Sequence, residues 1–190
     1  MYLWDVERLG KYFPSAGKSQ TAYDTLVGEQ ECILASIRRR PGRSPATSAY
    51  LRAGPRARLH FDPARVHAAI VTCGGLCPGL NNVVREITRA LFHLYGIEGK
   101  VHGIVGGYKG FYDPATPPLD LTVRAVEDIH HAGGTVLGSS RGGFDIDKIC
   151  DFLRAKEISQ LYVIGGDGTH RGAFHIHEAC MERVGRVVAV

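Results

Sequence analysis

The sequence predicts an α/β fold, an open and mostly parallel sheet with helices on both faces. Two observations predict it. Short apolar runs that end in glycines recur from residue 66 onward, as in strands that are covered on both faces. Between these runs, apolar residues recur every three or four positions, as on the buried side of a helix. Strands that alternate with helices in this way form a parallel sheet between helical layers.

The first half of this pattern contains three predicted strands and two predicted helices. Strands are expected at residues 66–73, 100–105 and 135–137, and glycine pairs close the first two. The helix between the first two strands has one apolar face, made by Val84, Ile87, Leu91 and Leu94. A second helix is expected at residues 122–132, where Gly133 ends it.

The second half contains two helices and two strands. Asp145 is a suitable N-cap for a helix that carries Ile146, Ile149 and Leu153. Residues 160–164 form the next predicted strand, and a helix follows it through Ala173, Ile176 and Cys180. The last strand is expected at residues 187–190. Because neither a polar tail nor a helix follows that strand, we expect a truncated domain, with a second domain missing.

Residues 1–59 are predicted to be a poorly ordered N-terminal extension, followed by one domain at residues 60–190. The extension contains ten Lys or Arg against five Asp or Glu, and the domain contains 13 against 14. Residues 36–59 hold seven arginines and no acid, interleaved with prolines and glycines. Such a composition is typical of a solvated arm, with contact to RNA or an acidic partner as the alternative. We expect no nucleic acid partner.

Cysteine usage and hydropathy indicate the cellular compartment of the protein. Five cysteines without paired spacing argue against a disulfide framework and indicate a reducing compartment. No apolar run approaches the roughly 20 residues of a membrane span, and the N-terminus lacks the features of a signal peptide. We therefore expect a cytoplasmic protein without membrane contact, and a plastid location stays open.

Four glycine-rich segments follow predicted strands, so they are expected to meet at the carboxyl edge of the sheet, where open α/β sheets bind ligands. Residues 74–82 (GGLCPGLNN) can direct backbone N–H groups at a phosphate, or can be a tight turn that needs glycine for geometry alone. Residues 165–169 (GGDGT) place Asp167 among small residues, where its carboxylate can reach a hydrated Mg²⁺. The alternative is that Asp167 caps a helix that begins near Arg171.

The other two segments are residues 139–144 (SSRGGF) and 106–112 (GGYKGFY). Arg141 can neutralise charge that develops during phosphoryl transfer, unless it forms a surface ion pair. Tyr108 can offer its ring to an adenine or a ribose, or it can pack against the edge of the sheet. A P-loop kinase is excluded, because the sequence has no Gly-x-x-x-x-Gly-Lys-Ser/Thr motif.

Taken together and in this order, the four segments resemble the N-terminal half of 6-phosphofructokinases, in particular the plant ATP-dependent branch. The resemblance is carried by residues 71–81 (VTCGGLCPGLN) and 134–145 (GTVLGSSRGGFD), and it covers about residues 50–190. It implies phosphoryl transfer from ATP to fructose 6-phosphate with Mg²⁺, in glycolysis, by a protein that forms homo-oligomers.

The resemblance also implies roles for individual residues. It assigns ATP contacts to Gly75, Tyr108, Arg141, Gly142, Gly166, Asp167, Gly168 and Thr169, with Mg²⁺ held through Asp167. Gly168 implies ATP as the donor, since pyrophosphate-dependent relatives carry Asp there. The general base of the family is expected beyond residue 190, so this chain alone is expected to be inactive. The alternatives are a non-catalytic nucleotide-binding protein, a pyrophosphate-dependent phosphofructokinase, and a lipid or NAD kinase.

Overall fold

The computed structural model describes residues 4–5, 30–34, 49–52, 58–59, 61–183 and 188–189. The chain divides into two compact units, Met1–His60 and Phe61–Val190. In the first unit, β1 (Trp4–Asp5) pairs antiparallel with β4 (Arg58–Leu59), and β2 (Cys32–Leu34) pairs antiparallel with β3 (Ala49–Leu51). The predicted poorly ordered arm at residues 36–59 lies outside the described residues, apart from 49–52 and 58–59.

The second unit is built on a sheet whose described strands follow the order β7-β6-β5-β8-β9. These strands are β5 (Ala68–Thr72), β6 (Val101–Ile104), β7 (Leu119–Asp120), β8 (Gln160–Ile164) and β9 (Val188–Ala189). Neighbouring strands pair in parallel, except that β7 is antiparallel to β6. The prediction of an open, mostly parallel sheet is therefore confirmed.

Helices cover both faces of this sheet. The α-helices of the described residues are α1 (Leu80–Arg89), α2 (Ile146–Ala155) and α3 (Asp167–Arg183), and a π-helical segment at Ala90–Leu94 continues α1. Every residue of β5 is buried, and alternate residues point to opposite faces of a strand. Ala69 and Val71 pack in the core with α2 and α3, whereas Ala68 and Ile70 pack in the core with α1.

The predicted helix at residues 122–132 is wrong. These residues form turns and one short 3-10 helix, Ile129–His131. Backbone hydrogen bonds there close short turns, as from the Glu127 N–H to the Arg124 carbonyl at 3.3 Å. The Ala132 carbonyl accepts a hydrogen bond from the Asn81 side chain at 2.9 Å. The apolar spacing still has a physical meaning, because the turns bury Val126 completely.

The predicted strand at residues 135–137 is also wrong, because its backbone groups are bonded elsewhere. The Val136 N–H donates to Asn81 Oδ1 at 2.8 Å, and the Leu137 N–H donates to Thr135 Oγ1 at 3.2 Å. The Leu137 carbonyl accepts from the Gly106 N–H at 2.8 Å. The segment therefore passes the carboxyl ends of β5 and β6 without joining the sheet. The strand that pairs with β6 on this side is β7, which the sequence pattern did not predict.

Helix α2 has well-defined ends. The Asp145 carboxylate accepts a hydrogen bond from the Lys148 N–H at 3.3 Å, which confirms the predicted N-cap. At the other end, Glu157 has a φ of 53° and is the one non-glycine residue with positive φ among the described residues. The Ile158 N–H donates to the Leu153 carbonyl at 2.9 Å, as in a left-handed helix end of the kind usually made by glycine.

None of the described helices combines the length and the apolar character that a membrane crossing requires.

Candidate functional site

Four segments surround the carboxyl ends of β5, β6 and β8. We call them the β5 loop (residues 73–79), the β6 turn (residues 105–112), the strap (residues 139–145) and the junction (residues 165–172). The β5 loop, the β6 turn and the junction each begin where a strand ends, as predicted. The strap does not follow a strand, so other contacts must bring it to the edge of the sheet.

Hydrogen bonds hold the strap against the β5 loop and the β6 turn. The Ser139 hydroxyl donates to the Gly74 carbonyl at 2.7 Å, and the Gly74 N–H donates to the Ser140 carbonyl at 3.0 Å. The Ser140 hydroxyl donates to the Gly106 carbonyl at 2.6 Å. A Cβ atom on Gly107 would lie 2.7 Å from the Ser140 hydroxyl oxygen, so this approach requires glycine. Three of the four segments therefore form one hydrogen-bonded rim.

The junction joins the same rim through Tyr108. The Tyr108 hydroxyl donates to the Thr169 carbonyl at 2.6 Å. A Cβ atom on Gly172 would lie 3.0 Å from the Tyr108 hydroxyl and 3.1 Å from the Phe144 ring, so the β6 turn and the strap both press on α3 here. The structure thus brings together all four predicted segments.

Asp167 is the first residue of α3, so the helix begins at Asp167 rather than near Arg171. Its side chain is exposed, and it forms no hydrogen bond or ion pair with any residue that the structure describes. The first-turn N–H groups of a helix of this length favour anions such as phosphates. Asp167 therefore places one available carboxylate beside helix N–H groups that can bind an anion.

The donor set around Asp167 fits Mg²⁺ rather than a transition metal. The described residues contain no group of three or more His, Cys, Asp or Glu that could hold a metal ion. Mg²⁺ commonly takes one or two carboxylates, several waters and phosphate oxygens. A single exposed carboxylate is therefore sufficient when a nucleotide supplies the remaining ligands.

Arg141 and Gly142 lie at the exposed tip of the strap. Arg141 forms no ion pair with the described part of the chain, so the surface ion pair considered from the sequence is not seen there. An unpaired guanidinium on an exposed loop can bind phosphate oxygens with two N–H groups at once. The strap therefore supplies one uncommitted positive charge to the rim.

Tyr108 does not present its ring to the exterior. It is 6% exposed, and its ring packs edge-on against Phe144 with centroids 5.3 Å apart. Burial raises the pKa of Tyr108, so its hydroxyl stays protonated and donates to Thr169. This placement agrees with the packing alternative.

The Cys73 thiol lies at the start of the β5 loop. It is buried, and burial raises its pKa to about 11. A thiol with that pKa is neutral near pH 7 and is not a nucleophile. We therefore assign Cys73 a packing role.

Three glycines at this rim have no structural explanation within the protein. A Cβ atom on Gly75, Gly166 or Gly168 would meet no atom within 4 Å, and none of the three has a positive φ. Gly165 differs, because a Cβ atom there would lie 2.6 Å from the Thr169 hydroxyl oxygen. Among the other described glycines, only Gly133 shares both properties, and it lies outside the rim. The three bare positions leave room for something other than the protein itself.

A shallow groove extends from Asp167 along the exposed side of α3. Its volume is about 630 Å³, and it is lined by Asp167, His170, Arg171, Phe174 and His175. Phe174 is 60% exposed, so most of its ring is open to solvent. The groove therefore combines a carboxylate, a guanidinium and an open aromatic ring.

Polar side chains that hold the rim in place were not predicted from the sequence. Asn81 is 2% exposed, and its amide bonds both Ala132 and Val136. The Thr72 hydroxyl donates to the Gly138 carbonyl at 2.6 Å. The sequence feature that could have identified them is a polar residue next to apolar residues inside a helix or strand, since Asn81 lies in α1 and Thr72 ends β5. Such residues usually have an internal hydrogen-bond partner.

Comparison with protein families gives a match over most of this chain. The family model described as phosphofructokinase matches residues 67–190. ATP-dependent 6-phosphofructokinase 7 of Arabidopsis thaliana is 51% identical over 141 residues, which are 74% of this chain and 28% of the relative. ATP-dependent 6-phosphofructokinase 4, chloroplastic, of the same plant is 43% identical over 198 residues, which are 99% of this chain and 36% of the relative.

Solved structures give the same fold. A phosphofructokinase from Pichia pastoris in the T-state matches with a TM-score of 0.55 and 28% identity, over 72% of this chain and 14% of that one. A pyrophosphate-dependent phosphofructokinase from Marinobacter aquaeolei matches with a TM-score of 0.57 over 65% of this chain and 32% of that one. Its identity is 19%, so it supports the fold alone. The chain spans about a third of the length of the curated relatives it matches.

Proposed function

Because the chain belongs to the phosphofructokinase family, we propose that its second unit is the nucleotide-binding part of an ATP-dependent 6-phosphofructokinase. The reaction transfers the γ-phosphoryl group of ATP to fructose 6-phosphate, and the products are ADP and fructose 1,6-bisphosphate. The observation that carries the proposal is the uncommitted Asp167 carboxylate between Gly166 and Gly168, two glycines that the packing of the protein does not require. A triphosphate explains both features.

In this proposal each segment of the rim has a separate task. The β5 loop and the first turn of α3 direct N–H groups at the phosphates, with Gly75, Gly166, Gly168 and Thr169 close to them. Asp167 holds Mg²⁺, which neutralises phosphate charge when it is bound. Arg141 and Gly142 approach the phosphates from the strap, and the Arg141 charge stabilises the negative charge of the transferring group.

We propose that the base and the ribose of ATP bind in the groove on α3. Arg171 and the exposed Phe174 offer flat surfaces on which a purine can stack. Tyr108 has a different task from the one that the resemblance implies. Because its ring is buried, we propose that it positions Thr169 rather than contacting the nucleotide.

The choice of ATP over pyrophosphate rests on Gly168. A side chain there would enter open space, so the fold itself accepts a larger residue. We propose that the glycine is kept to leave room for the α-phosphate of ATP, whereas an aspartate would repel it. Pyrophosphate that displaced ATP at equal concentration would favour the pyrophosphate-dependent alternative.

Turnover, subunit assembly and location are further parts of the proposal. We assign no general base and no fructose 6-phosphate site to these 190 residues, so the chain alone is expected to bind ATP without phosphorylating the sugar. A non-catalytic nucleotide-binding protein is the alternative. We propose a homo-oligomer in the cytoplasm, and a chloroplast relative keeps the plastid open.

The test replaces Asp167 with Asn and measures ATP affinity by calorimetry with and without Mg²⁺. We expect the Mg²⁺-dependent part of the affinity to fall by about tenfold or more, because the variant lacks the anionic ligand. Asp151→Asn is the matched control, since Asp151 lies exposed on α2 and pairs only weakly with Arg154 at 3.5 Å. Unchanged Mg²⁺-dependent affinity in Asp167→Asn would mean that the carboxylate is structural and that the metal assignment is wrong.

A further inference from the structure

The strap is fixed on its N-terminal side by two serines and on its C-terminal side by the β6 turn. Ser139 and Ser140 form the hydrogen bonds described above. On the other side, the Tyr112 hydroxyl donates to the Gly143 carbonyl at 3.0 Å. A Cβ atom on Gly143 would lie 2.7 Å from Lys109 Cβ and 3.1 Å from its backbone nitrogen. The backbone of the strap therefore touches the β6 turn directly at Gly143.

Lys148 supports the Tyr112 tether from α2. Its ammonium lies 4.8 Å from the centre of the Tyr112 ring, and it pairs with the Asp145 carboxylate at 2.9 Å. The hydrogen bond to Asp145 raises the pKa of Lys148, so the lysine stays charged over the ring at neutral pH. The ring, the ammonium and the N-cap carboxylate thus form one chain of contacts at the end of the strap.

Only Arg141 and Gly142 lie between the two fixed sides. Both are exposed, a Cβ atom on Gly142 would meet nothing within 4 Å, and Gly142 has a φ of 84°. A two-residue tip between two anchors has few alternative backbone paths. The anchors therefore set where the Arg141 backbone lies, and no described residue hydrogen-bonds or pairs with its guanidinium.

We propose that Tyr112 is a positioning residue, whose hydroxyl holds the strap so that Arg141 faces the triphosphate site. This role rests on the proposed function. Tyr112 does not contact the nucleotide in this assignment. It acts through the Gly143 carbonyl, and removal of the hydroxyl releases one end of the tip while the ring remains under Lys148.

The experiment compares Tyr112→Phe with Tyr162→Phe. Tyr162 is the matched control, because its hydroxyl also donates a hydrogen bond, to Gln160 Oε1 at 2.9 Å, in the core shared with α1. Two quantities are measured in the complete 190-residue chain: hydrogen exchange of the amides at residues 141–144 and the affinity for ATP with Mg²⁺. We expect Tyr112→Phe to speed exchange and to weaken ATP binding, each by about twofold. Tyr162→Phe is expected to change neither.

A double variant separates positioning from a general loss of structure. In the Arg141→Ala background, Tyr112→Phe is expected to cause no further loss of ATP affinity, because its effect passes through the arginine. Equal losses in the two backgrounds would overturn the positioning role. Unchanged affinity in Tyr112→Phe, with an unaltered chain that binds ATP, would also overturn it and leave the proposed function standing. A chain that binds no ATP at all would overturn both.

Discussion

The junction and the strap are both short and rich in glycine, and each carries one charged residue to which we assign a contact with ATP, but they are held in different ways. The junction is part of a continuous path from β8 into α3, so neighbouring residues fix Asp167. The strap has no regular structure and depends on partners 31 to 65 residues away in the sequence. Local patterns can therefore place Asp167, whereas the position of Arg141 depends on contacts that no local pattern contains.

The largest expected effect is a loss of stability when the close packing of the junction is disturbed. In Gly165→Ala, the new Cβ atom would lie 2.6 to 2.7 Å from three side-chain atoms of Thr169, a branched and buried residue that cannot move away. We expect the free energy of unfolding to fall by about 2 kcal/mol in urea denaturation. Gly166→Ala is the control, with a change below about 0.5 kcal/mol because its Cβ atom enters open space. Equal effects of the two substitutions would contradict the tight packing of the junction.

An intermediate loss of stability is expected at the β6 turn, where Tyr108 bonds the junction and Tyr112 bonds the strap. Tyr108→Phe removes a buried hydrogen bond to the junction, and we expect a loss of about 1 kcal/mol in the free energy of unfolding. Tyr112→Phe removes an exposed hydrogen bond to the strap and is expected to cost less than about 0.5 kcal/mol. Thermal and urea unfolding of both variants would check this order. A larger loss in Tyr112→Phe would show that the strap carries more of the stability than the junction.

A gain in stability is expected at the far end of α2, the helix that begins at the end of the strap. Glu157 has a φ of 53°, which glycine adopts without strain. We expect Glu157→Gly to raise the free energy of unfolding by about 0.5 to 1 kcal/mol. Glu157→Ala is expected to give no gain, since alanine is strained at the same φ. ATP affinity should stay unchanged in both variants, because the strap is anchored by the β6 turn rather than by the end of α2.

The periodic elements of the fold could be predicted from the sequence. The strand at residues 160–164 matches β8, and the predicted cap at Asp145 begins α2, because both depend on residues close in sequence. The apolar steps from Val84 to Leu94 likewise predicted one helix, and the structure forms α1 there, followed by a π-helical segment that the spacing did not predict.

The elements that were wrong depend on distant side chains. At residues 122–132 the apolar spacing was present, but Asn81 in α1 bonds the end of the segment and turns replace the helix. At residues 135–137 the apolar run was present, but Asn81 and Gly106 occupy the backbone groups that a strand would need. A single buried amide thus hydrogen-bonds the backbone of both segments.

The candidate site, too, was predicted in part: its local features were predicted, and its long-range contacts were not. The sequence placed the four segments at one edge of the sheet, and the structure brings them together. It did not reveal that the Tyr108 ring is covered by Phe144, because that contact joins residues 36 positions apart.

The short antiparallel strand β7 has a consequence for how the protein behaves in solution. It contains two residues, one of them an aspartate, and Pro117 and Pro118 precede it without N–H groups to donate. An incoming strand from another molecule would therefore find few hydrogen-bond partners and an unfavourable charge along this border. The β7 edge of the sheet is therefore expected to resist edge-to-edge aggregation when the protein concentration is high.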